Sequence, residues 1–202
     1  IEQANYFGYS GQKVKGLIFC SRIDESVALS NKFNQTINPE TGTFYRTIAL
    51  NGDTSEEERQ SAFERLAMNE EDATEEVTPL DYIFSVEILN EGVDIVEVNQ
   101  VIMLRPTQSP IVFIQQLGRG LRNYEGKKYV TVLDFIGNDY KRSVQIAFAL
   151  GSLSENFVVE KKLIACLIED NFTSIGLADY GVEIHLDDLS KKEILSYIDE
   201  VN

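Results

Sequence analysis

One histidine and two cysteines among 202 residues leave little material for a zinc centre or a disulfide framework, because a structural zinc site needs four such ligands. Cys20 sits in an apolar, strand-like run and Cys166 in a helix-like one, so neither has metal-ligand spacing. A reducing compartment, the cytoplasm, is the expectation. No apolar run approaches the ~20 residues that a membrane span requires. The opening residues IEQANYFGYSGQ have neither the charged start nor the apolar centre of a signal peptide. The first residue is not methionine, and the expectation is a fragment of a longer protein. Basic residues are scarce too: 18 Lys and Arg stand against 33 Asp and Glu, a formal net charge of −15. That balance excludes a general nucleic-acid coat, which depends on cations neutralising phosphates. Any nucleic-acid contact has to be local, through a small face or through backbone amides.

Two phosphate-binding signatures are absent as well. The loop G-x-x-x-x-G-K-[ST] does not occur, since Gly126-Lys127 is followed by Lys128 and precedes a strand instead of following one. No dinucleotide G-x-G-x-x-G follows the first strand, where Cys20-Ser21-Arg22 stands. A nucleotide could therefore not be fully cradled by this chain alone.

What is present is alternation. Five β-rich runs recur, at 15–21, 44–50, 81–87, 98–104 and 127–135, with helical patterns between several of them. Residues 23–35 carry Val27, Leu29 and Phe33; residues 55–68 open with a Ser55/Glu58 capping box and turn Ala62, Phe63 and Leu66 inward. Strands alternating with helices predict an α/β fold with a parallel sheet covered on both faces. Beyond about Asn138 only helical spacing remains, in VQIAFAL, FVVEKKLIACLIEDNF and SKKEILSYIDEV, the last with Ser190 as its N-cap. The expected division is residues 1–137 as the α/β domain and 138–202 as a helical extension. The acidic stretch Glu70 to Glu76 is expected to be a solvated loop.

Three segments carry candidate chemistry. In QQLGRGLR, Gln115 to Arg122, Ser109-Pro110 starts an apolar helix and Gly118 and Gly120 end it. Arg119 and Arg122 then project from a rigid terminus, where two planar guanidinium groups can engage one phosphate. The same pattern also serves as ordinary C-capping and dipole compensation. In NGDTSEEER, the amides around Gly52 lie where open α/β sheets bind ligands, though a Gly-Asp turn before a capped helix is in itself a good helix start. In NEGVDI, Gly92 supplies a turn between two buried strands and places Glu91 and Asp94 at that same edge; an acidic surface loop is the plainer alternative.

The order KGLIFCSR, NGDTSEEER, NEGVDI, QQLGRGLR resembles motif IV, the intermediate region, motif V and motif VI of superfamily 2 DNA and RNA helicases, in their second RecA-like domain, over residues 13–137. NEGVDI with the following PTQSP and QQLGRGLR resembles DNA helicases and restriction-type translocases more than DEAD-box RNA helicases, which normally carry Arg where Glu91 stands. FIGNDYKRSVQIAFAL and IHLDDLSKKEIL resemble the helical region behind the motor in certain bacterial helicases.

The resemblance implies that Arg119 and Arg122 approach the γ-phosphate of ATP, held with Mg2+ mainly by an N-terminal RecA-like domain of the same protein. Gln115 would lie at that cleft. Glu91, Gly92 and Asp94 would couple nucleotide to nucleic acid, and Ser21, Gly52 and Ser85 would face the phosphates of a single strand, DNA rather than RNA. Two other classes compete. A Rossmann-type enzyme needs a glycine-rich turn after the first strand, and SRIDES is not one; a partner-binding α/β module would tolerate the loss of Arg119 and Arg122.

Overall fold

A computed structural model describes residues 1–86, 97–105, 127–135 and 187–200. The expected helix after Ser109, the QQLGRGLR and NEGVDI segments, and the helical patterns VQIAFAL and FVVEKKLIACLIEDNF lie outside the described residues. The chain divides into two compact units. The first takes in Ile1–Arg105 and Gln115–Phe135; the second takes in Pro106–Ile114 and Ile136–Asn202.

The first unit is built on five strands: β1 (Gly16–Phe19), β2 (Thr47–Leu50), β3 (Tyr82–Ser85), β4 (Gln100–Met103) and β5 (Thr131–Asp134). Each falls inside one of the β-rich runs. They pair in the order β2-β3-β1-β4-β5, and every pairing is parallel. β1, β3 and β4 are buried along their whole length, as near-continuous apolar sequences require when both faces of a parallel sheet are covered.

Among the described residues three α-helices accompany the sheet: α1 (Glu2–Phe7), α2 (Ile23–Phe33) and α3 (Glu56–Ala67). In α3 the capping box forms as expected, with Ser55 Oγ accepting the Glu58 amide. Ala62 and Leu66 are fully buried, and Phe63 is half-buried. In α2 the sequence expectation needs correction, since Val27 is exposed and the buried stripe is Ser26, Ser30 and Phe33, with Leu29 beside it. Small serines let the helix lie close to the sheet, and their hydroxyls are satisfied locally. Ser26 Oγ donates to the Ile23 carbonyl at 2.8 Å, and Ser30 Oγ shares a 2.8 Å hydrogen bond with Thr47 Oγ1.

Phe33 centres an aromatic cluster, with ring centroids 5.4 Å from Tyr45, 5.6 Å from Tyr82 and 5.2 Å from Phe84. Such tilted and edge-on pairs each add roughly 0.5–1.5 kcal/mol beyond their burial. The Tyr82 ring lies over Gly16, where an added Cβ would come within 2.2 Å of it, so only glycine permits that packing.

At the amino edge a polar lattice ties residues 1–15 to the strands. Tyr82 donates to Gln100 Oε1 at 2.6 Å, and Gln100 Nε2 donates to the carbonyls of Ala4 and Gly8. Asn99 bonds the Lys15 backbone in both directions and donates to the carbonyls of Ser10 and Lys13. These are buried polar groups with partners, the condition under which burial is not penalised.

In the second unit the described element is α4 (Asp188–Glu200). Its cap is Asp187, not Ser190: Asp187 Oδ1 accepts the amides of Leu189 and Ser190 at 3.0 Å, and Ser190 lies inside the helix. No helix among the described residues is long and apolar enough to cross a membrane.

Candidate functional site

Because all five strands run parallel, their carboxyl ends share one edge. The register aligns Leu50, Ser85, Phe19, Met103 and Asp134 in a row across the sheet. Backbone bonds just beyond that row close the edge: the Cys20 amide donates to Ser85, Val86 to Leu50, Leu104 to Phe19 and Phe135 to Met103, at 2.9 to 3.2 Å. From β1 the chain leads toward β2, on one side, and from β4 toward β5, on the other. The strand order therefore reverses between β1 and β4, the switch point where open α/β sheets bind ligands.

Ser21 follows β1 at this edge and is exposed; its amide donates to Glu25 Oε2 at 3.2 Å. Arg22 next to it makes a two-point ion pair with Asp24, at 2.5 and 3.0 Å, in the open. That hydrogen bond from Arg22 holds the Asp24 carboxyl below its ordinary range. Cys20 is fully buried, and burial, with Glu25 nearby, pushes its thiol up to about 12, far from a nucleophile's range.

Gly52 follows β2, exposed, in a turn whose geometry is set from several directions. Asn51 Oδ1 accepts the Asp53 amide at 2.8 Å, the Thr54 amide returns to the Asn51 carbonyl, and Thr54 Oγ1 accepts the Asn51 amide. Arg59 Nη2 donates to the Gly52 carbonyl at 2.9 Å. Ser85 ends β3, fully buried, and its Oγ has no hydrogen-bond partner among the described residues. Parallel strands lie about 4.8 Å apart, so one strand separates the ends leading to Ser21 and Gly52, and Ser85 lies on that strand.

Of the residues singled out from sequence, the structure thus brings Ser21, Gly52 and Ser85 to one edge. Glu91, Gly92, Asp94, Gln115, Arg119 and Arg122 lie outside the described residues. Arg59 was not anticipated. Its signal was its place one turn into a helix that follows a Gly-Asp turn, because helical side chains lean back toward the N-terminus. Among the described residues no group of three or more His, Cys, Asp or Glu could hold a metal ion.

A parallel α/β sheet of this order, with helices between strands, defines a RecA-like domain. Residues 4–124 match the model of the helicase conserved C-terminal domain, and the chain belongs to that family, the second RecA-like domain of superfamily 2 helicases. IRC3 of Saccharomyces cerevisiae, named as a candidate ATP-dependent helicase, is 35% identical over 69 residues, 34% of this chain and 10% of that protein. Its Schizosaccharomyces pombe namesake, named as a candidate mitochondrial ATP-dependent helicase, is 29% identical over 158 residues, 76% of this chain and 23% of that protein. The chain thus spans a quarter or less of these relatives. Among solved structures, the C-terminal domain of the DEAD-box protein Dbp5 is similar in fold, with a TM-score of 0.52 at 19% identity over 75% of this chain and 77% of that one. The yeast DEAD-box splicing factor Prp28 is similar too, with a TM-score of 0.54 at 15% identity over 96% of this chain and 33% of that one.

Proposed function

We propose that this chain is the C-terminal motor half of an ATP-dependent superfamily 2 helicase or translocase acting on nucleic acid. The observation that carries the reading is the family match over residues 4–124, which takes in every residue assigned to the site. The relatives' names, which speak of ATP-dependent helicases, support it. In this reading residues 1–137 form the RecA-like domain and 138–202 a helical extension.

ATP and Mg2+ are held mainly by the N-terminal RecA-like domain of the same protein. Arg119 and Arg122 reach the γ-phosphate from this half and Gln115 lies at the same cleft. Arginine supplied across a domain interface stabilises charge on the transferring phosphoryl group only when the domains close, which links hydrolysis to hinge motion. Glu91, Gly92 and Asp94 pass that motion to the polymer. Ser21 and Gly52, both exposed, meet the phosphates of one strand, while Ser85, fully buried, supports that edge from beneath instead of facing a phosphate as the sequence suggests; DNA is the polymer because Glu91 replaces the Arg of DEAD-box RNA helicases. Short contacts of this kind, through backbone amides and hydroxyls, suit a chain of net charge −15. The buried free thiol of Cys20 suits a reducing compartment such as the cytoplasm.

The test is Arg119→Ala and Arg122→Ala in the full-length protein. Each is expected to lower nucleic-acid-stimulated ATPase by about 10³-fold or more, with the thermal midpoint unchanged. ATPase left intact by both changes would sink the motor reading in favour of a partner-binding module.

A further inference from the structure

Arg59 sits one turn inside α3, and its guanidinium is turned onto the backbone of the turn behind it. Nη2 donates to the carbonyl of Gly52 at 2.9 Å and lies 3.4 Å from that of Asn51. The side chain is 24% exposed, Nε is buried without an acceptor among the described residues, and the Glu56 carboxylate, almost fully exposed, stands 3.9 Å from Nη1. In a chain so short of cations, this one is engaged by carbonyl oxygens.

The consequence follows from peptide geometry. The peptides here are trans, so the carbonyl and the N–H of one peptide point in opposite directions. The 3.4 Å contact draws the Asn51 carbonyl toward Arg59, together with the Thr54 amide at 3.1 Å, and so turns the Gly52 N–H away from the guanidinium, while the 2.9 Å bond anchors the carbonyl of the next peptide. Of the amides from Asn51 to Ser55, those of Asn51, Asp53, Thr54 and Ser55 have acceptors inside the turn, at Thr54 Oγ1, Asn51 Oδ1, the Asn51 carbonyl and Glu58 Oε2. Among the described residues the Gly52 amide has none. Asp53, Glu56, Glu57 and Glu58 follow it closely along the chain, so an anion is met there by a backbone donor in an acidic stretch.

We infer that Arg59 is the positioning residue of this turn: it holds the Gly52 amide as the donor offered to a backbone phosphate of the bound strand, without touching the phosphate itself. The inference rests on the reading of Gly52 as a strand contact.

The experiment measures the affinity of the full-length protein for a labelled oligothymidylate over a range of salt concentrations, with Arg59→Met, Arg59→Lys, Gly52→Pro and the Arg59→Met/Gly52→Pro pair. Arg59→Met is expected to weaken binding about tenfold or more, the loss of one amide hydrogen bond to a charged phosphate. The slope of log K against log salt should stay as it was, because no ion pair with the strand is lost. Gly52→Pro, which deletes the amide, should cost about the same, and the double variant no more than either single one. Arg59→Lys, which keeps one donor, should lie between wild type and Arg59→Met and serves if the methionine variant does not fold.

A salt slope shallower by about 0.7 in Arg59→Met marks a direct phosphate contact and overturns the inference. Additive losses in the double variant, or undiminished binding by Arg59→Met and Arg59→Lys while Gly52→Pro binds poorly, also overturn it. Unchanged binding by Gly52→Pro overturns the underlying reading of Gly52 itself.

Discussion

At the scale of single residues, the charged cluster at the amino edge shows how burial changes what an acidic sequence does. Asp81, 2% exposed, accepts the Arg46 amide at 2.7 Å and lies 3.4 Å from Lys13 Nζ and 3.5 Å from Arg46 Nη2. Glu70 forms an ion pair with Arg46 and lies 3.0 Å from Lys13 Nζ. The expectation of a solvated acidic loop holds for Glu71 to Glu76, which are exposed, but Glu70 is tied back to the domain. The hydrogen bond from Arg46, reinforced by Lys13, lowers its carboxyl from 4.5 to about 2. A carboxyl depressed by folding contributes stability above its unfolded value and loses it as the pH falls through the folded one. The urea midpoint is therefore expected to fall between pH 4.5 and about 2, and Glu70→Gln to flatten that part of the curve. With the Glu70 side chain 54% exposed, solvent screening keeps the effect modest. An identical pH dependence in the variant would show that the pair carries no weight.

At the scale of elements, the ends and faces of helices are where neighbouring residues compete. Asp187, Asp188 and Ser190 are all good N-cap residues, and composition does not choose among them. The structure does: Asp187 takes the amides of Leu189 and Ser190, and the Ser190 hydroxyl donates to Asp187 Oδ2 at 2.5 Å, which holds its carboxyl below the ordinary range. Asp187→Ala is expected to destabilise α4 by about 1 kcal/mol, seen as faster amide exchange along Asp188–Glu200, with a smaller effect from Ser190→Ala. Equal effects from the two changes would count against the cap. The same competition placed Val27 outward on α2. Apolar character suggested the inward face, yet Ser26 and Ser30 lie there because their bulk and hydroxyls match the sheet and Thr47. β2 has a comparable device: Asn34 accepts the Thr47 amide at 2.8 Å and donates to its carbonyl at 3.2 Å, occupying the outward-facing N–H and C=O of one residue of an edge strand.

At the scale of the whole molecule, the proposed division of labour gives a direct expectation for the chain alone. With no G-x-x-x-x-G-K-[ST] loop of its own, the purified 202-residue polypeptide should hydrolyse no measurable ATP with or without nucleic acid. A robust activity abolished by Arg119→Ala would refute that expectation. The five strands and the two helices α2 and α3 were legible because burial on both faces demands long apolar runs and because capping needs particular residues at fixed spacing. The placement of Gly52 and Ser21 after strands was legible for the same reason.

Sequence by itself determined the family-specific motif order, the α/β class and the strands, since these depend on local periodicity and on residue types that chemistry rarely exchanges. Tertiary structure alone decided that β3 lies between β2 and β1, that Gln100 and Asn99 tie the amino-terminal residues to the sheet, and that Arg59 grips the turn at Gly52. Each of those is a contact between residues whose partners are chosen by crossover geometry and by the need to satisfy buried polar atoms, and neither leaves a periodic trace along the chain.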